Sequence, residues 1–147
     1  MGRDRIVVEV SSTVRRPGIA ASRVRSLVKK TLESERVRDA MLSVAFVGRT
    51  AISRLNREYL GHDGATDVIS FGMGREGRSM PAVGDIYICP EEAARNARRH
   101  GVPMSEELAR LVVHGALHVI GYDHPDDESR VESKMWKRQE RILASRD

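Results

Sequence analysis

The chain has 147 residues, about one domain, with 40% apolar and 31% charged side chains, 12 glycines and 5 prolines. That composition excludes fibrous, collagen-like and fully disordered classes and leaves enough apolar material for one core over residues 1–147. The formal charge is +4, and it is unevenly spread: residues 1–61 hold 13 basic and 6 acidic side chains, whereas 62–147 hold 12 and 15. A basic first third suits a polyanion-facing surface, and all but four of the 25 cations are arginines, whose planar fork matches phosphate. One cysteine, Cys89, cannot form a disulfide framework, and the amino terminus has no apolar leader, so a reducing, cytoplasmic setting is expected. No run approaches the ~18 apolar residues of a membrane span.

Ile6–Val10 reads as a first strand. Val24, Leu27, Val28 and Leu32 then form one helical stripe within 20–34, with Arg23, Arg25, Lys29 and Lys30 mostly off it. Met41–Val47 predicts a second strand. A short helix follows, with Thr50 as its N-cap, Ile52, Leu55 and Tyr59 on its stripe and Gly61 as its stop. Val68–Phe71 is the third strand, Gly72–Gly84 a glycine-rich loop, and Asp85–Ile88 the fourth strand. Pro90 with Glu91 and Glu92 opens a helix that ends near Gly101, and Ser105 opens the next, which is apolar through Leu108, Leu111, Val112, Leu117 and Ile120 up to Gly121. The last helix is expected from Pro125, with Val131, Met135, Ile142 and Leu143 inward. Together these elements predict a single α+β domain, a small four-stranded mixed sheet packed with about five helices.

The chemistry concentrates in His114-Gly-Ala-Leu-His118-Val-Ile-Gly-Tyr-Asp-His124. On a helix, His114 and His118 stand at i and i+4 on one face, so two imidazoles can converge on an ion at ~2.0–2.1 Å. Gly121 can adopt φ > 0 and end the helix, letting the chain double back so that His124 supplies a third nitrogen. Three neutral ligands with an open fourth position make a catalytic rather than a structural pattern. His62 and His100 each stand alone and take no ligand role. The spacing copies the zinc-protease motif H-E-x-x-H-x-x-G-x-x-H, but its glutamate position is Gly115, which argues against peptide hydrolysis and leaves open space beside the metal. Asp123 is placed to orient a histidine ring or to serve the turn. Asp85 and Asp67 are further candidates for the cleft, and no general base is identified.

His114-Gly115-x-Leu117-His118-x-x-Gly121-Tyr122-Asp123-His124 closely resembles the bacterial YbeY family of single-strand-specific endoribonucleases. Leu55-Asn56-x-x-Tyr59, Asp63-x-x-Thr66-Asp67-Val68-Ile69-Ser70-Phe71 and Gly84-Asp85-Ile86-x-Ile88-Cys89 extend the resemblance from Leu55 to His124. It implies one metal per chain, usually zinc, held by His114, His118 and His124 in a cleft of an α+β fold. It also implies action on the 3′ end of small-subunit ribosomal RNA and on defective ribosomes in the cytoplasm, with a small-subunit ribosomal protein and an assembly GTPase as partners. Two positions depart from the pattern. Leu60 replaces an arginine to which the family assigns a functional role, with Arg57 one helical turn earlier as the candidate stand-in, and Ala65 replaces a proline. Three classes of function follow: an endoribonuclease first, then a non-catalytic ribosome-assembly factor stapled by a metal, then a metallohydrolase of another substrate class.

Overall fold

A computed structural model describes residues 5–73, 80–122 and 133–145. The elements run β1 (Arg5–Ser12), α1 (Ala21–Ser34), β2 (Asp39–Phe46), α2 (Arg49–Leu60), β3 (Val68–Gly72), β4 (Ala82–Ile88), α3 (Pro90–His100), α4 (Met104–Val119) and α5 (Lys134–Ala144). The strands form one mixed sheet in the order β1-β2-β4-β3; β1, β2 and β4 are parallel and β3 is an antiparallel edge. The expected α+β domain with four strands and five helices is what the described residues form.

Period-2 alternation explains the layering. Ala40, Leu42, Val44 and Phe46 of β2 and Ala82, Ile86 and Ile88 of β4 turn to one face and are buried. On that face α1 lays down Val24, Leu27, Val28 and Leu32, and α4 lays down Leu108, Leu111, Val112 and Leu117, which completes the main core. At 25 cal/mol per Å² of apolar area, each such side chain contributes roughly 1.5–3 kcal/mol. The opposite face is covered only in part: α2 brings Ile52 over Ile69, Cys89 and Val47, with Phe71 and Tyr87 packed alongside.

Small side chains hid the true start of β4. It begins at Ala82 rather than Asp85, because Ala82 and Gly84 continue the buried alternation and pair with Ala40 and Leu42. Thr50 is not an N-cap; α2 starts at Arg49 behind Gly48, which puts Thr50 in the first turn. Tyr59 also leaves the inward stripe: Ile52 and Asn56 are the buried positions of α2, and Tyr59 is 64% exposed. The start of the last helix at Pro125 and the inward role of Val131 lie outside the described residues. Among the described residues no helix is long and apolar enough to cross a membrane.

Candidate metal centre

Three glycines let α4 lie directly on the edge of the sheet. A methyl at position 115 would lie 2.7 Å from Cγ2 of Ile86, one at 84 would lie 2.5 Å from the Phe71 carbonyl, and one at 72 would lie 2.5 Å from the Val119 carbonyl. Gly115 therefore faces the sheet and leaves no space beside a metal. The expected room there is not found, because a residue one step past His114 is rotated about 100° from it. What the glycine achieves is close approach of the histidine-bearing turns to β3 and β4.

His114 and His118 project from adjacent turns of α4, with ring centroids 6.4 Å apart and planes inclined by 53°. Each ring is held through Nδ1. His118 Nδ1 lies 2.7 Å from the Tyr122 carbonyl, which can only accept, so Nδ1 donates and, in the neutral ring, Nε2 is left with the lone pair. His114 Nδ1 lies 2.7 Å from Oε1 of Gln139, a side chain only 1% exposed. The orientation of that amide is fixed from behind, because Gln139 Nε2 donates to Glu140 at 2.9 Å and an ionised carboxylate accepts only. Glu140 in turn accepts two hydrogen bonds from Arg110, at 2.9 and 3.1 Å. Burial pushes the Glu140 carboxyl up, but the hydrogen bonds from Arg110 and Gln139 outweigh it and hold it below the ordinary value. His114 is thereby set with Nε2 as its basic nitrogen too, the form a divalent metal requires.

The chain leaves α4 as the motif requires. Gly121 has φ of 111°, and the Gly121 and Tyr122 amides donate back to His118 and Leu117 at 3.1 and 3.0 Å, closing the helix. The Tyr122 hydroxyl then donates to Glu35 just past α1, and Glu35 accepts from Arg138 of α5 on its other oxygen. The bond to Glu35 raises the Tyr122 phenol above its ordinary value. Beside this turn is a cleft of about 340 Å³ lined by Ser70 and Gly72 from β3, by Met73 just after it, and by His118, Val119, Ile120 and Gly121.

Of the residues named from sequence, the structure brings His114 and His118 together on one face of α4, with His118 lining this cleft; His124 and Asp123 lie outside the described residues. Among the described residues no third His, Cys, Asp or Glu joins the two histidines. The donor set suits zinc: two neutral imidazoles with defined tautomers, each buttressed by a hydrogen bond, next to an open cleft. Asp85 is elsewhere. Gly84 and Ile86 face α4, so the side chain between them points to the other side of the sheet, where it accepts from Ser43. Arg57 is exposed near the end of α2, the helix that covers that same opposite side. Asp67 accepts from Asn96 of α3 at 2.8 Å, a structural tie. Sequence reasoning missed Gln139 and Glu35. Gln139 carried a signal, a polar side chain on the inward stripe of Met135 and Ile142 in α5.

Comparisons with known proteins bear on the family and the fold. The family model "Endoribonuclease YbeY" matches residues 10–147. Among curated proteins, the chain is 40% identical over 131 residues to Endoribonuclease YbeY of Anaeromyxobacter sp. strain Fw109-5, covering 88% of this chain and 68% of that one. It is 38% identical over 140 residues to that of Geobacter metallireducens, covering 93% of both. Its fold is similar to the solution structure of TM1509 from Thermotoga maritima, with a TM-score of 0.61 and 27% identity over 93% of this chain and 87% of that one.

Proposed function

The chain belongs to the YbeY family of endoribonucleases, and on that premise we propose that it is a metal-dependent, single-strand-specific endoribonuclease. We assign its action to maturation of the 3′ end of small-subunit (16S) ribosomal RNA and to ribosome quality control, in the cytoplasm. By resemblance its partners are the small ribosomal subunit, one of that subunit's proteins and an assembly GTPase.

The observation that carries the catalytic reading is the pair of histidines on one face of α4, each locked by an Nδ1 hydrogen bond, the second of them lining an open cleft. His114 and His118 would hold one zinc, with His124 of the same motif as the third ligand. The metal would supply Lewis acidity towards the phosphoryl oxygens. The chain's own part is positional. Gln139 and the Tyr122 carbonyl keep the ring protons on Nδ1, and the β3 wall of the cleft limits how a strand can lie. Asp123, next to the third ligand in sequence, is proposed to orient a ligand ring. Gly115 turned against Ile86 gives a water-activating side chain no place at that position, which disfavours a peptide hydrolase. Leu60, exposed where the family pattern has arginine, keeps a non-catalytic assembly role as the second reading.

The test compares wild type with His114→Ala on single-stranded RNA, before and after chelation and zinc restoration. Cleavage is expected only from the zinc-loaded wild type. Equal cleavage by both proteins would refute the metal-dependent reading, and zinc-loaded wild type without cleavage would favour the assembly role. Substituting Leu60→Arg in the same assay reads whether the arginine adds rate.

A further inference from the structure

β3 separates two different surfaces. Ser70 and Gly72 face the cleft beside His118, whereas Phe71, between them in sequence, points to the other side of the sheet and meets Tyr59 edge-on, with centroids 5.2 Å apart and planes at 65°. Phe71 also packs edge-on against Tyr87 at 6.1 Å and 72°. Three of the chain's six aromatic side chains thus form one ladder. Its inner rungs belong to the second apolar cluster and give Tyr59 a rigid footing, while Tyr59 itself is 64% exposed.

The surroundings are apolar as well. Leu60, next to Tyr59, is 47% exposed, whereas Met73, 68% exposed directly after β3, belongs to the cleft. An aromatic and apolar rim offers little to a phosphate, but it matches the face of an unpaired base, which stacks on such rings without regard to sequence. A duplex hides those faces, so a stacking platform also selects for single strands. Arg54 and Arg57, exposed on the same helix beside Glu58, add cations for the backbone of such a strand. Tyr59 lies across edge strand β3 from the cleft, with the Phe71 ring between, so a chain that reaches both bends over β3.

We propose that Tyr59 is a stacking platform for an unpaired base of the substrate strand, flanking the phosphate held in the cleft. The inference rests on the endoribonuclease reading above and adds the subsite that reads single-strandedness. It is tested by measuring Kd, through fluorescence anisotropy at fixed salt, for a labelled 2′-O-methyl oligoadenylate and for an abasic chain of the same length. Tyr59→Ala should weaken oligoadenylate binding about 5- to 150-fold, the range of one base stack. Tyr59→Phe and Tyr59→Trp should stay within about twofold of wild type, and the abasic chain should bind all four proteins alike. Matching thermal midpoints would show that the variants are folded. Undiminished oligoadenylate binding by Tyr59→Ala would overturn the platform and leave the rim to a protein partner. An equal loss in Tyr59→Phe would overturn it in favour of a hydroxyl contact. Wild type that binds neither probe would instead refute the RNA reading itself, and the platform with it.

Discussion

His114 Nδ1 and Gln139 Oε1 are 2.7 Å apart across the α4–α5 contact, and this bond ties a proposed ligand to a hydrogen-bonded row that continues through Glu140 to Arg110. Gln139→Met keeps the volume but removes the acceptor, so the His114 ring can rotate and its tautomer is no longer fixed. Zinc retention in competition with a chromogenic chelator should fall about 10- to 100-fold, the usual cost of losing such a partner. Unchanged retention in a folded variant would show that the ring is set by something else.

The second ligand is held from further away. The Tyr122 carbonyl accepts from His118, while its hydroxyl is bound to Glu35, which Arg138 also grips. Tyr122→Phe and Glu35→Ala break the same link from opposite ends. Each should weaken zinc retention by about tenfold, and the double variant should be no worse than either single one. Additive losses would mean that the two residues act separately.

Much of this was legible in the chain itself, and what was not has a common cause. H-x3-H spacing placed two imidazoles on one helical face, and Gly121 marked the helix end, because both are local properties of a backbone. The facing of Gly115 depends on Ile86, 29 positions away in sequence, and a helical pattern does not say what lies opposite it. Asp85 was misplaced for a related reason: strand parity assigns it a face only once Gly84 and Ile86 are known to meet α4. Gln139 was visible as a polar break in an apolar stripe, but its partner His114 was not. Glu35 had no local signal, since its bonds to Tyr122 and Arg138 span 87 and 103 residues.

Glu140 makes stability depend on acid pH. Its folded carboxyl lies below the ordinary value of 4.5 through Arg110 and Gln139, so the contribution is complete above that value and is lost as the pH falls past it towards the depressed one. Thermal melts of wild type and Glu140→Gln should differ at neutral pH, with wild type the more stable, and should converge in strong acid. A gap that persists there would assign the effect to packing rather than charge.

Restoring the protease glutamate at position 115 tests whether its absence is a choice of chemistry or of packing. Even Gly115→Ala places a methyl 2.7 Å from Ile86 Cγ2, and Ile86 is fully buried between β2 and β3. Relief requires α4 to lift from the sheet or Ile86 to leave its rotamer, and overpacking of that kind costs about 1–3 kcal/mol. Gly115→Ala should therefore lower the urea midpoint, and it should also weaken zinc retention, because the turns carrying His114 and His118 move with the helix. Pairing Gly115→Ala with Ile86→Ala removes the Cγ2 methyl that meets the added group and should recover part of the zinc retention, though not the urea midpoint, because the smaller side chain leaves a cavity. Gly115→Glu would bury a carboxylate against the same isoleucine and should fail to fold rather than gain peptidase activity. A folded Gly115→Glu protein with a normal urea midpoint would show that position 115 is open after all, and with it the space that the bare sequence suggested.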